Sequence, residues 1–302
     1  MSPEMVSVPS VEPGSAPSRM ARLDITGLLG VTPFLIFALL FLIIPTLYLV
    51  AGAFFDGKGH LTLANFAALD QPMIVGAYVL SIKLSAATAA LGVTIGLLLA
   101  LAIGHGRLPS WTRSIALTFS GVAANFAGIP LAFAFLATLG RLGLVTIILR
   151  TLADFDIYRA GFNLLSFWGL ALTYLYFQIP LMVLIVMPAI DGLKREWSEA
   201  AATLGASRLQ YWRHVGFPVL WPNLLGTLAL LFANSFGAIA TAYALTGSSL
   251  NIVPILLYAQ VRGDVLHNEN LGAALALGMV VITGVANLIY IIFRTRAERW
   301  LK

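Results

Sequence analysis

Six long apolar stretches, separated by shorter polar ones, take up most of the chain. A helix needs about 20 apolar residues to cross the hydrocarbon of a bilayer. On that measure the pattern predicts spans over residues 26–54, 78–104, 115–139, 164–190, 223–245 and 271–293. Pro33 stands near the start of the first span, where a missing amide donor costs little. Pro45 stands deeper and predicts a kink. Lys83 lies near one end of the second span, where its stem can snorkel to the interface. Gly92 and Gly96 form a GxxxG pair, a pattern that lets two helices approach closely.

The polar stretches differ in kind. The first 20 residues are rich in Pro, Ser and Glu and lack periodicity, which predicts a disordered tail over residues 1–25. The apolar run behind them is too long for a signal peptide and has no small-residue cleavage site. Gly52, Gly57 and Lys58 match most of a phosphate-binding loop, but position 59 is Gly instead of Ser or Thr and no strand precedes it, so the match reads as chance. Residues 140–163 mix Arg141, Arg150, Asp154, Asp156 and Arg159 with an apolar stripe of Leu144, Ile147, Ile148 and Leu152, the pattern of a helix lying flat at the membrane surface. No charge occurs between Val215 and Val261, too long a run for one span, so residues 251–260 read as a re-entrant or surface segment broken by Pro254. The chain ends in a basic tail over residues 294–302.

Residues 191–222 are the longest charged, amphipathic stretch between two apolar ones. They predict two short helices. The first covers about residues 194–204, and Gly205 is able to take the left-handed conformation that ends it. Ser207 stands three residues before Gln210, the spacing of a capping box, and starts the second. Pro218 and Pro222 are expected to end that helix and lead into the fifth span, with Trp212 and Leu209 anchoring it against the spans.

Composition agrees with the pattern. Hydrophobic residues make up 59% of the 302, charged residues 10%, and mean hydropathy is +0.91; a soluble domain carries about 25% charged residues. Six spans and their loops nearly exhaust the chain, so it is an all-α polytopic membrane protein. In a soluble protein a net charge of +5 would suggest nucleic acid; here it reports basic cytoplasmic loops. Placing both termini in the cytoplasm puts twelve cations inside (Arg19, Arg22, Arg107, Arg113, Lys194, Arg195, Arg208, Arg213, Arg294, Arg296, Arg299, Lys302) and five outside (Lys58, Arg141, Arg150, Arg159, Arg262). That imbalance obeys the positive-inside rule and puts residues 191–222 in the cytoplasm. Zero cysteines excludes disulfides and thiolate metal sites.

No catalytic constellation emerges, and no cofactor or metal is implied. His60, His105, His214 and His267 fall in separate loops without metal-ligand spacing. The central parts of the spans carry no ionisable residue, which disfavours a proton-coupled carrier. Asn125, Gln178, Asn234 and Ser235 are uncharged polar groups inside spans, and they either line a path for solute or bond helices together.

Glu199-Ala200-Ala201, then Gly205, Val215 and Phe217-Pro218, follow the pattern EAA-x3-G-x9-I-x-L-P, with Val215 for Ile and Phe217 for Leu. This resembles the EAA loop of the permease subunits of bacterial importers driven by ATP-binding cassettes. The resemblance implies a type I ABC importer permease fold in the inner membrane. It implies that Glu199, Ala200, Ala201, Gly205 and Pro218 belong to a cytoplasmic coupling loop docked on an ATPase, and that Glu199 offers its charge to a cation there. It implies two ATP-binding subunits that carry out hydrolysis, a second permease subunit and a periplasmic binding protein. Residues 125–143, including Ile129-Pro130-Leu131-Ala132-Phe133-Ala134-Phe135, look like permeases of polyamine, phosphonate and ferric-ion importers, whose usual pairing implies a heterodimer. The outer loops near 55–73, 140–163 and 248–268 are the expected dock for the binding protein. The rival readings are a secondary carrier and a membrane scaffold that uses the 191–222 loop only as a protein dock.

Overall fold

The computed structural model describes residues 25–106, 109–262 and 268–298. The predicted tail up to Asp24, together with Arg107, Asp264, His267, Arg299 and Lys302, lies outside the described residues. Two units are distinguished, residues 1–48 and 49–302, and each is taken by itself.

The apolar runs form helices because nothing in them competes for the backbone. In the first unit, α1 (Ile25–Ala38) passes through a π-helical turn, Leu39–Ile43, into the start of α2 (Ile44–Gly52), whose residues from Leu49 belong to the second. Pro45 stands two residues after that turn. It has no N–H to give, and its ring crowds the carbonyl four residues back, at Phe41. Widening the turn is the local answer to that crowding, so the expected kink takes the form of a π turn.

The second unit is built on α4 (Pro72–His105) and α8 (Phe167–Asp191), which pack along their length. Around them stand the short α3 (Ala64–Ala68), α5 (Ser110–Asn125), α6 (Ile129–Leu139), α7 (Leu144–Leu152), α9 (Arg195–Thr203), α10 (Arg208–Tyr211), α11 (Phe217–Phe236), α12 (Ile239–Thr246), α13 (Val253–Arg262) and α14 (Glu269–Glu298). Among the described residues the only extended pairing is a single bridge between Phe55 and Leu61. Among the described residues six helical stretches are long and apolar enough to cross a membrane.

The boundaries differ from the expected ones in four places. The third span, expected as 115–139, is not one helix: α5 stops at Asn125 and α6 starts at Ile129, with Gly128 at φ 75° between them. The fifth is likewise interrupted, at Gly237–Ala238. The segment expected over 251–260 is not broken by Pro254: α13 starts at Val253 and takes Pro254 into its first turn, with Val253 and Leu256 buried beside residues of α4 and α14. The last helix runs through Glu298, so the first residues of the basic tail are helical.

Small residues decide the central contact. Ala89, Gly92, Gly96 and Ala100 recur every three or four positions and make one bare face on α4. A Cβ on Gly96 would lie 2.6 Å from the Cβ of Met182, and one on Gly92 would lie 3.1 Å from Oε1 of Gln178. Met182, Val183, Val186 and Ile190 fill the space this face leaves. The predicted GxxxG pair is therefore the seam of the bundle.

Gly96→Ala is expected to part α4 from α8 and destabilise the fold by about 1–3 kcal/mol. Gly76→Ala, on the same helix with nothing within 4 Å, is expected to raise stability by up to about 1 kcal/mol. Thermal unfolding of the purified chain in detergent checks both.

Candidate functional site

Residues 191–222 fold as predicted up to the second helix. Helix α9 ends at Thr203, with Leu204 as its C-cap, and Gly205 follows at φ 79°. The Gly205 N–H donates to the Ala202 carbonyl (3.0 Å) and the Ala206 N–H to the Ala201 carbonyl (2.9 Å). This is the Schellman arrangement, which satisfies carbonyls that a helix end leaves open. Ser207 then caps α10 through a capping box: its Oγ accepts from the Gln210 N–H, and Gln210 Oε1 accepts from the Ser207 N–H (2.7 Å).

The second helix does not end at Pro218. A π turn, Trp212–Gly216, joins α10 to α11, so residues 208–236 form one rod with Pro218 in its first α turn and Pro222 inside. Pro218, like Pro45, stands two residues after its π turn, and the carbonyl it crowds belongs to His214 within that turn. Trp212 packs on the buried cluster of α8 and α11 as expected, and its ring lies where a Cβ on Gly216 would be, at 2.6 Å. Leu209 does not pack on the spans with it; in the first turn of α10 it is 79% exposed.

The surface of the segment is more apolar at its tip than the sequence suggested. Leu204, on the other side of the Gly205 turn from Leu209, is 88% exposed. Ala200 is exposed, and Ala201 is half-buried on a shallow recess of about 390 Å³ shared with Gly205, Ala206, Tyr211 and His214. Glu199 already has a partner in its own helix: Arg195 Nε lies 2.9 Å from its Oε1. Both side chains are exposed, and such pairs contribute about 0–1 kcal/mol, so the carboxylate is readily exchanged to another cation.

The four polar residues expected in the spans fall into two pairs. Gln178 and Ser235 are buried and bind helices together. Gln178 Nε2 donates to Thr88 Oγ1 (3.2 Å), and the Thr88 and Ser235 hydroxyls share a hydrogen bond of 3.0 Å. This clasp ties α4, α8 and α11, and Gln178 Oε1 has no hydrogen-bond partner within it. Asn125 and Asn234 stay exposed, Asn125 as the last residue of α5 and Asn234 in the last turn of α11. Each therefore stands beside one of the two breaks.

The breaks meet each other. The Gly128 N–H, freed where α5 stops, donates to Thr241 Oγ1 on α12 (2.7 Å). The Ala238 carbonyl, freed where α11 stops, accepts from the Tyr174 hydroxyl of α8 (2.7 Å). At membrane depth, where no water is available, such groups need partners from neighbouring helices.

Two loops hold internal carboxylates. Asp56 accepts from the N–H groups of Lys58 and His60, so the amides of the loop that resembled a phosphate site are already taken. Asp156 lies between Arg150 and Arg159. Partial burial pushes its carboxyl up, but the N–H groups of Tyr158 and Arg159 and the two guanidinium groups outweigh that and hold it below the usual carboxylate range. On α7, Leu144, Ile147, Ile148 and Leu152 remain exposed as a stripe.

The family described as binding-protein-dependent transport system inner membrane component matches residues 92–302. The chain belongs to it. The permease is 28% identical over 227 residues to the sulfate transport system permease protein CysT of Salmonella typhimurium, which covers 74% of this chain and 76% of that one. It is 28% identical over 123 residues to the spermidine/putrescine transport system permease protein PotC of Escherichia coli, 41% of this chain and 47% of that one. Its fold is that of a bacterial ABC transporter involved in import of the acidic polysaccharide alginate, with a TM-score of 0.71 at 18% identity over 90% of this chain and 96% of that one. The permease is thus a multi-pass inner-membrane subunit of an ABC importer, a transport component and not an enzyme.

Sequence reasoning missed Leu204, Thr88, Tyr174 and Thr241. An apolar residue directly before the turn glycine of an otherwise polar loop was a usable signal for Leu204. The other three look like ordinary span residues and are recognisable only by their bonds.

Gly205→Ala meets no side chain, so it adds only backbone strain of about 1–2 kcal/mol; faster amide exchange over residues 203–207 is the expected readout. Asp156 has a lowered pKa in the fold, so its stabilising contribution is full above the ordinary value of about 3.9 and is lost as pH falls through its own lower value. Protease protection of residues 153–163 is expected to hold through mildly acidic pH in the permease and to be weaker, and independent of this titration, in Asp156→Asn.

Proposed function

We propose that the permease forms half of a translocation pathway and that residues 191–222 are the surface through which an ATPase subunit drives it. The observation that carries this reading is the build of the segment: an exposed α9 and an apolar tip at Leu204 and Leu209, set on a turn that continues through Trp212 into a membrane-spanning rod. A partner that grips α9 holds a lever fixed to α11. Glu199, Ala200, Ala201 and Gly205 form the docking face, with Glu199 exchanging Arg195 for a cation of the ATPase. Pro218 sits where the rod enters the bundle.

The assembly is two ATP-binding subunits, a second permease subunit and a periplasmic binding protein, with both termini of this chain cytoplasmic. The bond between Arg113 and Asp191 puts the start of α5 on the same side as the 191–222 segment, as that orientation requires. Residues 153–163 and the exposed stripe of α7 offer a shaped surface for the binding protein on the opposite side. Asn125 and Asn234 are the side chains assigned to the path; Gln178 and Ser235 are structural. The relative with the broader match carries sulfate and the narrower one carries polyamines. No residue of the path favours polyamine or phosphonate, so the solute is a small polar one selected by the binding protein.

Tagged permease is expected to co-purify from its native membrane with an ATPase bearing nucleotide-binding motifs, identified by mass spectrometry. Leu204→Asp and Glu199→Lys are expected to lower the retained ATPase by about tenfold or more, and Gly205→Pro to abolish it. Equal recovery with all three variants would refute the coupling role.

A further inference from the structure

The cation and carboxylate that tie α5 to α8 are each misplaced on their own helix. Arg113 is in the first turn of α5, where the unpaired N–H groups already make the helix end positive. Asp191 is the last residue of α8, where the open carbonyls make the end negative. The two ends lie side by side, and the Arg113 guanidinium donates to the Asp191 carboxylate across 78 residues of chain. Each charge suits the neighbouring helix end, so the pair stitches the start of α5 to the end of α8. The ion pairs at Asp56, Asp156 and Glu199, by contrast, each close a short stretch of chain.

The position of the pair is unusual for a surface ion pair. Asp191 lies just before α9, with only Gly192, Leu193 and Lys194 between the two helices. Arg113 lies on the helix that runs without interruption to Asn125, where the break with Gly128 begins. The Gly128 N–H is in turn held by Thr241 on the other broken span. A displacement of α9 therefore has two routes into the membrane: along the rod through α11, and through Asp191 and Arg113 along α5 to the place where the two breaks meet.

We propose that the Arg113–Asp191 pair is a strut that carries movement of the coupling segment to the break between α5 and α6. Both residues are positioning residues. The strut rests on the functional reading above, since it transmits a displacement that only a docked ATPase supplies. The pair is too exposed, at 38% and 46% of its side-chain surfaces, for its loss to unfold the bundle. Its loss instead uncouples the break from α9.

The absence of cysteine gives a clean test. Ala127, exposed in the break, is replaced by Cys, and its rate of reaction with a maleimide is followed in membrane vesicles that contain the permease with its ATPase. The rate is compared without nucleotide and with Mg-ATP plus vanadate. ATP is expected to change the rate in the otherwise unaltered chain. In Arg113→Gln and in Asp191→Asn the ATP-dependent change is expected to shrink about fivefold or more, and in Arg113→Gln, which lies outside the coupling segment, the bound ATPase and its hydrolysis are expected to persist. The exchange of the two residues, Arg113→Asp with Asp191→Arg, is expected to restore it, because the swapped charges still pair and each now suits its own helix end as well.

The strut is overturned if either single variant keeps the full ATP-dependent change, or if the exchange fails to restore it. It is also overturned if ATPase is bound and active yet the rate at position 127 never responds. A chain that binds no ATPase in any background refutes the functional reading, and the strut with it.

Discussion

Backbone hydrogen bonding in a medium without water constrains every feature of this bundle. A continuous helix meets the requirement by itself; an interrupted one does not. The permease stops two helices, α5 at Asn125 and α11 at Phe236, and pairs the freed groups with side chains of neighbouring helices: the Gly128 N–H with Thr241, the Ala238 carbonyl with Tyr174. Each break is thereby held by a helix other than its own. That arrangement holds only if α6, α8 and α12 keep their mutual positions, which in turn depends on the close contact of α4 with α8. The glycine seam and the Gln178–Thr88–Ser235 clasp supply that contact.

The bundle thus has a fixed part and a part that is free to respond. A buried cluster of α4, α8 and α11 holds the middle together. The coupling segment projects from one end with few buried side chains, and its shape is fixed by backbone capping instead of by packing. A segment shaped by its own hydrogen bonds keeps its form when a partner covers it, so little ordering entropy is lost on docking.

Much of this was legible in the sequence. The number of spans, the capping box at Ser207, the turn at Gly205 and the seam at Gly92 and Gly96 all follow from local chemistry. The breaks were not legible, because Asn125-Phe126-Ala127-Gly128 and Phe236-Gly237-Ala238 are as apolar as the helices around them. Gly128 and Pro130 are the local marks of the first, but the groups that hold both breaks lie 113 and 64 positions away. The roles of Gln178 and Asn125 were undecided for the same reason: an amide on a span reads alike whether it faces a neighbour or an open surface. Leu209 was misassigned because an apolar residue three positions before a packed Trp212 reads as part of the same buried face, whereas α10 leaves it in the exposed first turn.

That π turn has an evolutionary side. It holds one residue more than the α turn it replaces, so Trp212–Gly216 is a helix with an insertion already accommodated. Removing that residue would leave the rod continuous but turn everything before it by about 100° around the axis, the rotation per residue of an α-helix. The direction in which α9 faces is therefore set by chain length at one point as much as by side chains. Relatives that gain or lose a single residue there would present the same docking face to a differently placed partner.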